Sequence, residues 1–274
     1  MKKQTYLLLI ALAICTSLFS QRNIRGMLNA EKAFAAFTEA HTIKEGFLAF
    51  MDSTGVIFRQ GQAVNARETY LLQKAGPAIL SWKPDFAVIS SAGDMGVTSG
   101  PYELRPKALQ DTPIGKGTFS SIWCSNQKGE WKNLADLGVG YGVDQSAKTI
   151  SVEKTVTGEK MNANAYKEVW LLDEKLNEAI AVNDRKTILH YIATNGRLLI
   201  EDHLPFDGID AIASSLPFFP VQMRLKTENG GFAASGDFVY LYGSIDHEQK
   251  KGAYLRAWVF HKNEWKVILQ TIKW

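Results

Sequence analysis

The sequence is poor in cysteine: it has two among 274 residues, and Cys15 lies in an N-terminal apolar run. If that run is removed, Cys124 has no partner, so no internal disulfide can form and the fold depends on its core. Dense basic runs are also missing, and the net charge is only +3, or about +1 without the two N-terminal lysines. The sequence therefore argues against a disulfide scaffold and gives no electrostatic basis for nucleic-acid binding.

Several motifs for metals and cofactors are absent as well. None of the five histidines forms a His-Glu-x-x-His pair or another pair at metal-ligand spacing. Residues 138–142 spell Gly-Val-Gly-Tyr-Gly at the end of a predicted strand, but no helix follows, so this is not a dinucleotide-binding fingerprint. Walker loops and Gly-x-Ser-x-Gly elbows are missing too. We therefore expect neither a metal nor an organic cofactor.

The first 20 residues have the pattern of a secretory signal peptide. Two lysines precede the apolar run Tyr6–Ile14, which is too short to span a bilayer, and small residues follow up to Ser20. This pattern predicts export to the periplasm or the medium. Cys15 raises a lipoprotein alternative, which we disfavour because the isoleucine before it is not small. No later segment is long and apolar enough to be a membrane span.

The remaining chain predicts the same order of elements twice. With 46% apolar residues it suits one large or two ordinary domains, and we assign them to 21–141 and 164–274. Residues 142–163 are polar without a helical period and predict a linker. Capping patterns and apolar periodicity place helices from Asn29, Thr42 and Asn65, then from Tyr166, Asp184 and Asp207. The predicted strands are 56–59, 86–91, 96–105, 117–125 and 131–141, then 198–201, 221–227, 236–246, 253–261 and 265–273.

Two phrases recur between these halves. The stretch Ser-Ala-Gly-Asp around Asp94 returns as Ala-Ser-Gly-Asp around Asp237. Residues 117–134 align with 252–269, which matches Trp123 to Trp258. A repeat of this length predicts an internal duplication of a whole domain rather than a solenoid. The two aspartates fit turns whose backbone N–H groups their carboxylates accept, and a functional use is the alternative.

The Gly-Asp-x-Gly-x-x-x-Gly strand at 93–100 and the Gly-x-Trp-Lys hairpin at 129–132 resemble the DUF4440 branch of the NTF2-like superfamily. The second half is similar, more loosely, to its SnoaL-like and ketosteroid-isomerase-like members. The resemblance implies an α+β fold of two tandem NTF2-like cones, each with a helical hairpin and a short helix on a curved antiparallel sheet. It also implies packing through sheet faces, as an intramolecular pseudo-dimer or a homodimer. It does not fix the function, because this fold hosts both enzymes and binding modules.

Residues 196–203 resemble the ketosteroid-isomerase stretch in which a strand-end aspartate is the general base, which makes Asp202 the candidate catalytic residue. The family's tyrosine oxyanion donor falls near Leu176, which cannot donate, and Tyr240 or Tyr242 are candidate substitutes. In the first half the position that matches Asp202 is near Gln60, which cannot act as a base. The alternative for Asp202 is a solvated acid at a strand end or a helix cap.

Four side chains alternate onto one face of a predicted strand: Tyr254, Arg256, Trp258 and Phe260. On the concave face they would line a pocket, with Arg256 as an anchor for an anion or a carbonyl. On the convex face they would form a packing or dimer surface. Arg59, at the end of the first strand, would either pin an acidic ligand or be a rim charge.

These features favour an exported protein that binds a small apolar or acidic molecule in an apolar cone. One alternative is an isomerase or lyase that transfers a proton through Asp202. Another is an accessory module that binds a protein partner. A deep cavity would favour the first two functions, whereas a cone plugged by Trp258 or Phe260 would favour the third.

Overall fold

The computed structural model describes residues 22–148, 151–156, 163–220 and 222–274, so the predicted signal peptide lies outside the described residues. The first half contains α1 (Ile24–Ala40), α2 (Ile43–Phe50), β1 (Met51–Arg59), β2 (Gln62–Asn65), α3 (Ala66–Leu72), β3 (Ile79–Trp82), β4 (Phe86–Ile89), β5 (Met95–Arg105), β6 (Gly115–Ser125) and β7 (Trp131–Tyr141). A further strand, β8 (Val152–Thr155), follows. The second half contains α4 (Ala165–Ala181), α5 (Arg185–Tyr191), β9 (Ile192–Ile200), β10 (Phe206–Asp207), α6 (Ile209–Ser215), β11 (Arg224–Phe232), β12 (Phe238–His247), β13 (Lys250–His261) and β14 (Glu264–Lys273).

Side-chain caps fix where most of the helices begin. Thr42, Asn65 and Asp184 each accept a hydrogen bond from the backbone N–H three residues later, at the helix starts that the sequence predicts. The first helix begins earlier than predicted, because Asn23 rather than Asn29 is its cap. Asp207 does not cap α6: Gly208 holds the cap position without a side-chain bond. The Asp207 carboxylate is bound to Arg197 instead, 2.7 Å away.

Six strands follow the same order in the two sheets, and β3 and β8 are additional strands of the first sheet. The first runs β2-β1-β7-β6-β5-β4-β8, with β3 also on β5, and the second runs β10-β9-β14-β13-β12-β11. Each has a bulge at the corresponding place, between Ile122 and Trp123 and between Ala257 and Trp258. The sheets are mixed rather than antiparallel, because β1 pairs in parallel with β7 and β9 in parallel with β14.

The predicted linker also contributes to the first sheet. Strand β8 pairs in parallel with β4, and the backbone N–H of Val156 donates to the carbonyl of Ile89 at 2.7 Å. The connection between the halves is therefore partly built into the sheet that it leaves.

Each sheet has helices on one face and the other sheet on the opposite face. We call these the inner and the outer face. A shared core between the outer faces joins Val97, Ile122 and Leu137 of the first half to Leu255 and Leu269 of the second. The two inner faces have separate apolar cores under their own helices.

The repeated phrases meet at this junction. The Asp94 carboxylate accepts the backbone N–H of Ala234 at 3.0 Å, and the Asp237 carboxylate accepts that of Ser91 at 3.1 Å. Each aspartate therefore caps the turn of the other half, a reciprocal arrangement typical of two-fold interfaces. The glycine before each aspartate has a positive φ, 67° at Gly93 and 65° at Gly236, which the turn requires. Within the described residues no helix has the length and apolarity needed to cross a membrane.

Candidate functional site

A cavity of about 140 Å³ lies inside the first cone, between the helices and the inner face of the sheet. The ring of Phe34 stands nearly perpendicular to those of Phe47 and Trp82, at centroid distances of 5.0 and 4.8 Å. The walls are therefore mostly aromatic, with two polar side chains among them. The lining residues are Phe34, Phe47, Leu80, Trp82, Tyr102, Phe119, Asp136 and Gly138.

Two glycines hold Tyr102 flat against the sheet. A Cβ at Gly117 would lie 2.4 Å from the Tyr102 ring, and one at Gly138 would lie 3.2 Å from it. Any larger residue at Gly117 would displace this ring, which forms one wall of the cavity. Burial raises the pKa of Tyr102 to about 12, and the negative charge of Glu201 adds to this effect. The phenol is therefore protonated at neutral pH.

Asp136 is the carboxyl group that lines the cavity. It lies on β7 directly opposite Ser121 of β6, whose hydroxyl donates to Oδ2 at 2.6 Å. Burial raises the pKa of Asp136 to about 7; the Ser121 hydrogen bond opposes this rise, and the nearby charge of Glu31 adds to it. Asp136 therefore exchanges its proton near neutral pH.

A second carboxyl group, that of Glu31, lies fully buried behind the cavity on α1. It accepts the indole N–H groups of Trp82 and Trp123 at 2.6 and 2.7 Å and the hydroxyl of Thr98 at 2.5 Å. Burial raises the pKa of Glu31, while these hydrogen bonds lower it. No lysine, arginine or histidine is among these donors or among the described residues that line the cavity. Trp82 connects Glu31 to the cavity, because its ring lines the cavity and its indole N–H donates to Glu31.

The second cone holds a buried ion pair where the first has its cavity. Asp173, on α4, accepts from Arg256 Nη1 at 2.6 Å and from the Trp258 indole at 2.9 Å. Its other oxygen accepts from the hydroxyl groups of Tyr254 and Thr227 at 2.7 and 2.8 Å. Both charged side chains of the pair are fully buried.

Tyr254, Arg256 and Trp258 therefore lie on the inner, concave face, as one of the two sequence hypotheses had it. They fill this cone rather than line a pocket. Arg256 is already paired with Asp173, and its Nε donates to Gln270 at 2.6 Å. The other terminal nitrogen, Nη2, is buried without a hydrogen-bond partner among the described residues, so Arg256 is closed off from solvent rather than open to a pocket.

Tyr240 and Tyr242 lie on the outer face, in the core between the two sheets. Their neighbours Val239 and Leu241 face the helices, so strand alternation turns the tyrosines away from the cone. The ring of Tyr242 packs edge-on against Phe58 of the first half at 5.6 Å. These phenols therefore do not reach a substrate in the second cone.

Asp202 is exposed in a turn with a φ of 64°. Its backbone N–H donates to the carbonyl of Gly140 at 2.8 Å, which ties the turn to β7 of the first half. Lys273 supports the same strand by donating to the carbonyl of Gly138 at 2.9 Å. Asp202 thus lies outside the cavity of the first cone, and its catalytic role stays a prediction.

Arg59 is exposed at the end of β1. Burial raises the pKa of Tyr70 to about 12, and the positive charge of Arg59 and its hydrogen bond oppose this rise. Arg59 does not line the cavity, so its role in ligand binding also stays a prediction.

Sequence reasoning did not single out Asp136 or Glu31. Along β7 the polar and glycine positions alternate with apolar ones, which is also the pattern of a solvent-facing strand surface. The likeness of the two halves carried the missing signal, because Asp136 and Gln270 hold the same register opposite Ser121 and Arg256. At these positions the first half has an acid, Asp136, whereas the second half has Arg256, which forms an ion pair with Asp173.

Three solved structures that resemble part of this chain each cover 41% of it. No protein-family model and no curated protein matches it. Among solved structures, an NTF2-like protein of unknown function from Pseudomonas putida KT2440 is 18% identical over 41% of this chain and 88% of its own, with a TM-score of 0.36. An NTF2-like protein from Cytophaga hutchinsonii is 18% identical over 41% and 98%, with a TM-score of 0.34. A DUF3225-family protein of unknown function from Pectobacterium atrosepticum is 14% identical over 41% and 91%, with a TM-score of 0.36.

The first two of these proteins are described as NTF2-like. The elements described above confirm the predicted fold class independently of those scores. Each half packs a helical hairpin and a short helix on a curved sheet, which is the α+β cone architecture. This architecture leaves the function to be argued from the site.

Proposed function

We propose that the first half binds a small, mostly apolar molecule in its aromatic cavity, without a cofactor. The observation that carries the proposal is the contrast between the cones: the first has an aromatic cavity lined by a carboxyl group, and the second has a buried ion pair at the corresponding place. Concave, mainly aromatic sites with few polar groups are typical of ligand pockets.

The size of the cavity limits the ligand. A cavity of about 150 Å³ is known to hold benzene, and the volume here is about 140 Å³. The enclosed part of the ligand is therefore about one ring in size. A neighbouring depression of about 300 Å³ shares Trp82 and Tyr102 with the cavity, so a longer molecule would extend into it.

The N-terminal pattern supports export, and we propose that the ligand is met in the periplasm or the medium. The packing of the two outer faces supports an intramolecular pseudo-dimer. Because each sheet covers the outer face of the other, we propose that the chain needs no homodimer through these faces.

A second candidate function is proton transfer, as in an isomerase or lyase. It is favoured by Asp136, since a carboxyl whose pKa is about 7 suits general acid–base catalysis at neutral pH. In this alternative Asp136 takes the role that the sequence assigned to Asp202. The protonated phenol of Tyr102 would be the accompanying hydrogen-bond donor.

Thermal unfolding with a panel of single-ring compounds tests the proposed binding. Leu80→Trp, which adds volume in the cavity wall, should abolish stabilisation by the ligand. The matched control Leu72→Trp changes a leucine that is 90% exposed and should retain it. Asp202→Asn should also retain it. A ligand at 100 times its Kd stabilises by about 2.7 kcal/mol, which raises Tm by several degrees.

Stabilisation that survives Leu80→Trp would place the ligand elsewhere. If no compound in the panel stabilises the protein, the binding function is contradicted. A partner-binding module would then be the better account.

A further inference from the structure

We propose that the cavity of the first cone selects a small organic ammonium ion. The inference rests on the proposed binding function and names the chemical class of its ligand. It is carried by two neighbouring carboxyl groups without a paired cation among the described residues, Glu31 fully buried and Asp136 partly buried, and by the ion pair at the corresponding place in the second cone.

The first step is the charge around the cavity. Asp136 lines it, and Glu31 lies buried behind Trp82, so two carboxyl groups share one apolar region. Buried ionised carboxyls are costly unless they are paired with a cation. Glu31 accepts hydrogen bonds from uncharged donors, among them the indoles of Trp82 and Trp123 and the hydroxyl of Thr98.

Arg59 and Lys116 are cations on neighbouring elements. Lys116 lines the neighbouring depression and is 3.6 Å from Glu103. Arg59 is exposed and lies beside Tyr70, outside the described lining of the cavity. The described structure therefore supplies no buried cation to either acid.

The second step is the corresponding position in the second cone. There Arg256 reaches the helix carboxylate of Asp173 at 2.6 Å, and the residue opposite it on the next strand is Gln270. In the first cone the equivalent strand pair is Ser121 and Asp136. The first cone thus lacks the guanidinium, holds one more acid and has a cavity instead. A ligand cation would occupy the space and supply the charge that Arg256 supplies in the other half.

The third step is the chemistry of the walls. Five of the eight lining residues are aromatic, and Phe34 meets Phe47 and Trp82 at nearly right angles. The faces of aromatic rings attract ammonium groups, most strongly where water is excluded. An anion would face repulsion from Asp136 and Glu31, so this inference replaces the acidic ligand considered from the sequence.

Three probes of similar shape test the selection: cyclopentylammonium, cyclopentanol and cyclopentanecarboxylate. Their affinities for the protein are measured by calorimetry at pH 8, where Asp136 is mostly ionised. We expect the ammonium ion to bind at least tenfold more tightly than the alcohol, and the carboxylate to bind most weakly.

The variant Asp136→Asn keeps the shape of the side chain and removes its charge. It should lose the preference for the ammonium ion over the alcohol. Asp202→Asn removes an exposed carboxylate outside the cavity and should keep the preference. Circular dichroism verifies that both variants are folded.

The three probes on the unmodified protein decide the question even if a variant does not fold. An alcohol that binds as tightly as the ammonium ion would overturn the ammonium inference and leave the proposed binding function standing. A preference unchanged in folded Asp136→Asn would also overturn it. If none of the three probes binds while a compound of the single-ring panel stabilises the protein, the ammonium inference fails and the proposed function stands. If neither the probes nor the panel compounds bind, both fail.

Discussion

The two halves of the molecule bury a carboxyl group of their long first helix against a tryptophan of the sheet. Glu31 accepts from Trp123 at 2.7 Å, and Asp173 accepts from Trp258 at 2.9 Å. The halves differ in the charge placed beside that carboxyl. In the second half an arginine pairs with it, and in the first half a further acid faces a cavity.

The contrast shows how little change separates a ligand site from a packed core. Two neighbouring positions on adjacent strands are Ser121 and Asp136 in one half and Arg256 and Gln270 in the other. Strand order and bulge position are the same around them. The difference between a cavity and an ion pair therefore comes down to side chains at positions that the backbone treats alike.

The largest expected effect is the loss of stability when the ion pair of the second cone is removed. Arg256→Met leaves the carboxylate of Asp173 buried without its cation, which should cost about 3–5 kcal/mol. Urea unfolding should show a loss of this size, and Tm should fall by roughly 10 °C. The matched change in the first half, Ser121→Ala, removes one hydrogen bond and should cost only about 1 kcal/mol. Equal losses in the two halves would contradict the contrast.

The second effect is a pH dependence that belongs to the first cone. Asp136 binds its proton more tightly in the folded chain, where its pKa is about 7, than in the unfolded chain, where it is about 4. Its contribution to stability is therefore present below about pH 4 and is lost as the pH rises to about 7, by up to roughly 4 kcal/mol.

Asp136→Asn should flatten the part of the profile between these two values. The measurement is the free energy of unfolding in urea at several pH values for both proteins. Parallel profiles would show that Asp136 does not titrate as the first cone requires.

The third prediction concerns a double variant that gives the first cone the strand residues of the second. The variant combines Ser121→Arg with Asp136→Gln. The new guanidinium should reach toward Glu31 and occupy the cavity, so ligand affinity should fall at least tenfold in calorimetry. Unchanged affinity in the folded double variant would separate the cavity from ligand binding.

The last prediction concerns the turns that join the halves. Asp237 is fully buried and accepts from Ser235 Oγ at 2.5 Å as well as from the other half, whereas Asp94 is partly exposed. Asp237→Ala should therefore cost about 2–3 kcal/mol and Asp94→Ala about 1 kcal/mol. Thermal unfolding of the two variants measures the difference. A larger loss from Asp94→Ala would reverse our assignment of the buried turn.

The sequence was sufficient where local rules decide the structure. The capping pattern of the sequence predicts helix starts at Thr42, Asn65 and Asp184. In the structure each of these side chains accepts the backbone N–H three residues later. Strand alternation predicts that Tyr254, Arg256 and Trp258 share one face of the sheet. It does not predict whether that face is covered by the helices.

The candidate site was not predictable in the same way. The family resemblance drew attention to Asp202, which lies in an exposed turn. Asp136 looked like a solvent-facing residue of an alternating strand, because nothing local shows that helices cover that face. Glu31 looked like an exposed acid of an amphipathic helix, and its burial depends on Trp82 and Trp123, which are distant in the sequence.

The indole N–H signals in the nuclear magnetic resonance spectrum of the ¹⁵N-labelled protein give the most direct test of the central claim. Trp82 and Trp123 donate to Glu31 in the first cone, and Trp258 donates to Asp173 in the second. Titration with cyclopentylammonium should shift the Trp82 and Trp123 signals and leave that of Trp258 in place. A shift of Trp258 alone, or no shift of any of the three at saturating ligand, would contradict the account.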